Sequence, residues 1–151
     1  MDSVKIKRTS MNLSLNIRIL KVIIALVLLS IGGLIYLTFR GENLLMFNWL
    51  NELDLMYQID NLRAYNQKIY LYDWVLYSLP DGLWLLAYLL IIDSIWHECR
   101  NNMFNSFILS LPTIAIFSEF AQYWNIIPGV FDTMDLFCYI SSVLIYLIIK
   151  I

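Results

Sequence analysis

Charged side chains are scarce in this sequence. They make up 15% of its 151 residues, while 60% are hydrophobic and the mean hydropathy is +0.68. A soluble domain usually has about 25% charged residues and about 45–50% apolar ones. A chain of this size cannot hide so much apolar side chain from water. Ten basic against twelve acidic residues leave no basic surplus for a phosphate backbone, which excludes a nucleic-acid partner. One histidine and two cysteines without a C-x-x-C argue against zinc, so no metal is expected. The five glycines form no phosphate-binding loop, and no G-x-S-x-G elbow occurs, so no cofactor is implied. No internal repeat and no low-complexity tract divides the chain, which reads as a single domain over residues 1–151.

What the sequence does have is long apolar runs. A spanning helix needs about 20 mostly apolar residues, rising about 1.5 Å each across about 30 Å of hydrocarbon. Four stretches qualify: 17–39, about 74–97, 103–124 and 132–150. The runs are continuous rather than short and alternating, which excludes barrel strands. The expected fold is therefore all-α: a polytopic membrane bundle of four transmembrane helices. The first run has a basic lead-in (Lys5, Lys7, Arg8, Arg18 and Lys21) but is too long for a signal-peptide core. It is followed by Thr38-Phe39-Arg40-Gly41 rather than a small-residue cleavage site, and reads as a retained anchor.

Orientation follows from Lys and Arg. They crowd the N-terminal flank, and Arg100 lies in the second connection and Lys150 at the C-terminus. The third connection, from Asn125 to Phe131, has none. This pattern places both termini in the cytoplasm of a multi-pass inner-membrane protein. Cys99 would then be cytoplasmic and Cys138 in the outer half of the fourth span. A disulfide needs Cα atoms within about 7 Å, so none is expected.

The outer loop spans 40–73. Within it, Asn43 to Gln58 places Met46, Trp49, Leu50, Leu53, Met56 and Tyr57 at helical spacing, with Asn48, Asn51, Glu52 and Asp54 opposite. This predicts an amphipathic helix lying in the membrane interface, or capping the bundle. Tyr65, Tyr70, Tyr72, Trp74 and Tyr77 follow, as an aromatic belt or a wall facing a ligand or partner.

The polar residues of the apolar part have a pattern of their own. Asp81 follows Pro80 in the outer third of the second span. Glu119 and Gln122 sit on one face at the outer end of the third. Asp132 and Asp135 open the fourth, and the same face continues through Tyr139, Ser142 and Tyr146. The topology brings Asp81, Glu119, Gln122, Asp132 and Asp135 to one level near the outer surface. Carboxylates near hydrocarbon are costly, at about 2.5–3.5 kcal/mol for an Asp at the centre of a span. A cluster of them needs a shared proton, a cation or a basic ligand group. The cations nearest in sequence are Arg40, Arg63 and Lys68. Structural readings stand beside this one. Asp132 with Asp135 fits a helix cap, Glu119 with Gln122 fits interhelical hydrogen bonding, and Pro80-Asp81 fits a kink with a first-turn acid. Asp93 reads as snorkelling or capping at the cytoplasmic end, and His97-Glu98 as a solvated turn.

The order Pro80-Asp81, then Ser118-Glu119-x-x-Gln122, then Pro128-Gly129-x-x-Asp132-x-x-Asp135 resembles the VanZ-like family of small bacterial multispan proteins. That family is named after a teicoplanin-resistance membrane protein. The resemblance covers residues 75–150. The acids of the pattern are kept. Gly82 stands where a basic residue and then a histidine often follow, Val130 where Arg is common, Tyr139 where Asn is common and Ser142 where Gly is common. The resemblance implies an envelope-related role in a bacterial inner membrane and supplies no mechanism.

Three functional classes remain open. The first is a binding protein whose acidic outer pocket (Asp81, Glu119, Gln122, Asp132, Asp135 and Tyr139) takes an amine-bearing, envelope-related or lipid-linked molecule and affects glycopeptide sensitivity. The second, also set in membrane lipid, is an interaction subunit that docks another membrane protein or itself through the aromatic loop or the first span, where Ser30, Gly32 and Gly33 thin one side. The third is an enzyme with carboxylates holding Mg²⁺ or acting as acid and base. It lacks a histidine or nucleophile on the outer side.

Overall fold

The structure is a computed structural model that describes residues 2–41, 45–66, 69–97 and 100–150, with side chains from Ser14 onward. Cys99, Glu98, Lys68, the Asn43 start of the expected interfacial helix and the side chains of Lys5, Lys7 and Arg8 lie outside it. The described residues form seven helices and no strand: α1 (Asp2–Phe39), α2 (Leu45–Glu52), α3 (Met56–Asn66), α4 (Asp73–Tyr77), α5 (Leu79–Ile95), α6 (Asn102–Tyr123) and α7 (Thr133–Ile149).

The four apolar runs are all helical, with one interruption. The second run breaks at Ser78 into α4 and α5. Pro80, which has no N–H to donate to the preceding turn, takes the first turn of α5 instead. Two helical stretches are long and apolar enough to cross a bilayer, Ser14–Phe39 and Asn102–Tyr123. At 17 residues each, α5 and α7 fall short of the usual length. Local chemistry sets the ends. The Asn101 carboxamide accepts from Phe104 N at 3.0 Å to start α6, and the Asp132 carboxylate accepts from Met134 N at 2.8 Å to start α7.

The expected sixteen-residue amphipathic helix is instead two helices. Asp54 has φ of 55°, with Asp54 N bonded to Asn51 O and Leu55 N to Leu50 O. This is a Schellman stop in which a short polar side chain tolerates the left-handed backbone. Phe47 and Ile59 face inward, while Leu45, Trp49, Leu53 and Tyr57 remain exposed. α3 closes the end of α1. The Arg63 guanidinium donates to the Leu37 carbonyl at 2.8 Å and to the Arg40 carbonyl, and lies over the Phe47 ring.

α5 is the central rod, packed against α1, α4, α6 and α7. α1 meets it through Ala25 and Gly32. A Cβ on Gly32 would lie 2.5 Å from Trp84 Nε1, so the small-residue face of α1 is partly used inside the chain. α7 approaches α5 at Gly82, whose added Cβ would lie 2.9 Å from Cys138 Cβ. Ser142 Oγ ties that crossing to the Gly82 carbonyl at 2.6 Å. The outward faces of α1, α6 and α7 are apolar, including Leu20, Leu26, Leu109, Phe117, Phe137 and Ile148.

Asp93 departs from the sequence expectation. It neither snorkels nor caps: it has 0% exposure and is the hub of an ion cluster. Lys21 Nζ from α1 lies 2.5 Å from Oδ2. Arg100 Nη2 and the Tyr146 hydroxyl from α7 both donate to Oδ1, at 3.0 and 3.1 Å. Beside it, Arg18 Nε donates to the Ser94 carbonyl and the Ser94 hydroxyl donates to the Arg18 carbonyl. The segment after it also differs. His97 is half-buried, and its Nδ1 is enclosed without a hydrogen-bond partner, which is not a solvated turn.

Truncating Asp93 strands two cations against a buried surface, so Asp93→Ala is expected to cost about 3–5 kcal/mol. Replacing the pair together, Asp93→Leu with Lys21→Met, should recover part of that loss. Unfolding in detergent, followed by circular dichroism across the double-mutant cycle, checks both. Gly82→Ala should cost about 1–3 kcal/mol in the same assay, because the helices must separate to admit the methyl group.

Candidate functional site

The carboxylates singled out in the sequence meet at the end of the bundle opposite the Asp93 cluster. α5 and α7 begin there and α6 ends there, because the three rods alternate in direction. Asp81 sits in the first turn of α5 and Asp135 in the first turn of α7. At both positions the positive end of the helix dipole favours an acid. Glu119, only 3% exposed, reaches from α6 and accepts a hydrogen bond from Asp132 N at 3.3 Å. One buried carboxylate therefore holds the entry to α7, and Asp132 caps that helix with its own side chain. The capping and interhelical-bonding roles weighed for these two residues are both present.

The electrostatic neighbours define the nook. The Asp81 carboxylate is repelled by Asp135 and Glu119 and attracted by Arg40. Asp135 faces Asp132 and Arg40, with the Ser78 hydroxyl beside it but not in hydrogen-bond geometry. The half-buried Tyr139 lies among Asp81, Asp135 and Glu119. Gln122 is turned aside and packs against Gly129, where an added Cβ would lie 2.7 Å from Gln122 Cδ. Asp81, Glu119, Asp132, Asp135 and Tyr139 are thus brought together, and Gln122 contacts the loop instead. Among the described residues no three of His, Cys, Asp and Glu are placed to share a metal ion.

Two participants were not singled out as site residues. Ser78, at the α4–α5 junction, has 0% exposure and an Oγ without a partner. It is an unremarkable serine in a loop-like stretch, and only the nearby Pro80 hinted at a break. Arg40 was legible only as a cation in the outer loop. The structure holds its guanidinium between the Tyr36 and Tyr77 rings, at 5.2 and 4.8 Å, with Nη2 donating to the Tyr77 carbonyl at 3.0 Å. Its Nε is buried without a partner, as is Asp135 Oδ1. Buried polar atoms are normally satisfied, so three orphans in one nook single it out.

No protein-family model, no curated protein and no solved structure matches this chain.

Glu119 makes a structural bond through an acceptor that an amide also supplies. Glu119→Gln should therefore unfold within about 1 kcal/mol of the parent, whereas Glu119→Ala, which strands the Asp132 N–H, should lose about 1–3 kcal/mol. Thermal melts of the two purified variants in one detergent check the difference.

Proposed function

We propose that this chain is a bacterial inner-membrane protein whose acidic nook, near the outer surface, binds an amine-bearing molecule of the cell envelope. Its four apolar segments, α1, α4 with α5, α6 and α7, would cross the bilayer with both termini cytoplasmic. Three features support the membrane reading. The outward faces of α1, α6 and α7 are apolar while Asp93, Ser94, Glu119 and Ser142 are buried, an arrangement suited to lipid and costly in water. Arg18, Lys21, Arg100 and Lys150 gather at one end, as the positive-inside rule requires of a cytoplasmic face. The opposite end carries the acids, and the exposed Tyr65 in the last turn of α3 with Tyr70 and Tyr72 after it would form an aromatic belt.

The observation that carries the binding reading is the unpartnered Asp135 Oδ1 beside Asp81 and Glu119. Carboxylates crowded in a poorly solvated place favour a positively charged occupant. The VanZ-like order of polar motifs directs that reading to a lipid-linked envelope molecule and to glycopeptide sensitivity. A second reading, an interaction subunit, rests on the exposed Leu45, Trp49, Leu53 and Tyr57, an apolar surface along α2, the turn after it and the start of α3 that a neighbouring membrane protein would cover.

Dodecylammonium should bind the protein in neutral nanodiscs and dodecyl sulfate should not. Asp135→Asn with Glu119→Gln, in a protein that still inserts, should weaken the ammonium probe about ten-fold or more. Equal binding by parent and double variant would refute the acidic-site reading. Crosslinking in cells that traps a defined partner through Trp49, with ammonium binding absent, would favour the interaction subunit.

A further inference from the structure

The nook is not only acidic. The Arg40 guanidinium is fixed within electrostatic reach of Asp81 and Asp135. Among the described residues it nevertheless forms no ion pair with either. Opposite charges in a poorly solvated place gain strongly by closing to contact. Here the two tyrosine rings and the Tyr77 carbonyl hold the guanidinium back. Charge of opposite sign therefore faces across the nook without contact. The nook also carries the orphans: the Arg40 Nε donor, the Asp135 Oδ1 acceptor, and the fully buried Ser78 Oγ, which can do either.

A simple cation would satisfy Asp135 and be repelled by Arg40. A simple anion would satisfy Arg40 and be repelled by Asp81, Asp135 and Glu119. A molecule carrying both signs a few bonds apart satisfies all three orphans at once. We propose that the nook recognises a zwitterionic group, with its ammonium against Asp135 and Asp81 and its anionic oxygens against Arg40 Nε and Ser78 Oγ. Phosphoethanolamine has this chemistry, either as the headgroup of a phospholipid or as a free small molecule. The inference rests on the amine-binding reading above and adds the anionic half of the ligand. Charge-assisted hydrogen bonds at both ends give the site its selectivity.

The test uses the full chain in nanodiscs of phosphatidylglycerol doped with phosphatidylethanolamine, with retained lipid counted by native mass spectrometry. Soluble phosphoethanolamine and dodecylammonium are titrated separately. Phosphatidylethanolamine should be retained about ten-fold or more over phosphatidylglycerol, and Arg40→Gln and Asp135→Asn should each abolish that preference. Ser78→Ala provides a variant that keeps the fold. It should melt no lower than the parent in lipid-free detergent, since it removes an unsatisfied hydroxyl, yet retain less phosphatidylethanolamine. Binding of soluble phosphoethanolamine with the same variant dependence assigns the site to the free molecule, and its absence assigns it to the lipid. Equal retention of the two phospholipids, together with no binding of soluble phosphoethanolamine, overturns the proposal. So does retention unchanged by Arg40→Gln and Ser78→Ala, as expected if water alone satisfies these atoms. If dodecylammonium still binds in an Asp135-dependent way in either case, the zwitterion reading has failed and the amine-binding reading survives. If it does not, both have failed.

Discussion

A carboxylate with no contact with solvent must find its counter-charges inside the fold, and in this chain that carboxylate is Asp93. Its partners come from α1, from the turn before α6 and from α7. Meeting them sets the register of α1 against α5. Arg18 pairs with Ser94, Lys21 with Asp93, Gly32 with Trp84 and Arg40 with Tyr77, in steps that run down one helix as they run up the other. Antiparallel rods of equal rise must pair in this way once one level is fixed. The register that pairs Lys21 with Asp93 is the one that places Arg40 at the acidic end.

The helices and the gathering of acids were legible because both follow from one-dimensional features. Long apolar runs give rods, and alternating direction brings Asp81, Glu119 and Asp135 to one end. Asp132 could be read as a cap because its hydrogen bond is local. What escaped was long-range or conformational. Asp93 and Lys21 are 72 positions apart, and nothing local to Asp93 distinguishes a buried hub from a snorkelling acid. The break at Asp54 is marked by neither Gly nor Pro, so an amphipathic period that runs through it reads as one helix. Ser78 owes its role to a neighbour across the bundle, and the interruption of the second run there shortened an expected span.

The two ends of the bundle handle charge in opposite ways. At the Asp93 end, a lysine, an arginine and a phenol surround one carboxylate. At the other end several carboxylates share one guanidinium, which is held by aromatic rings and touches none of them. That guanidinium belongs to Arg40, the residue just past the end of α1.

The contact at Gly82 bears on how such a molecule can move. With no side chain between them and the Ser142 hydroxyl bound to the Gly82 carbonyl, α5 and α7 touch at what amounts to a fulcrum. On α5 it sits next to Asp81 and about three turns from Asp93, so the lever arms along that helix are unequal. A small splay that widens the short arm corresponds to a larger swing of the long one, where the Tyr146 hydroxyl meets Asp93.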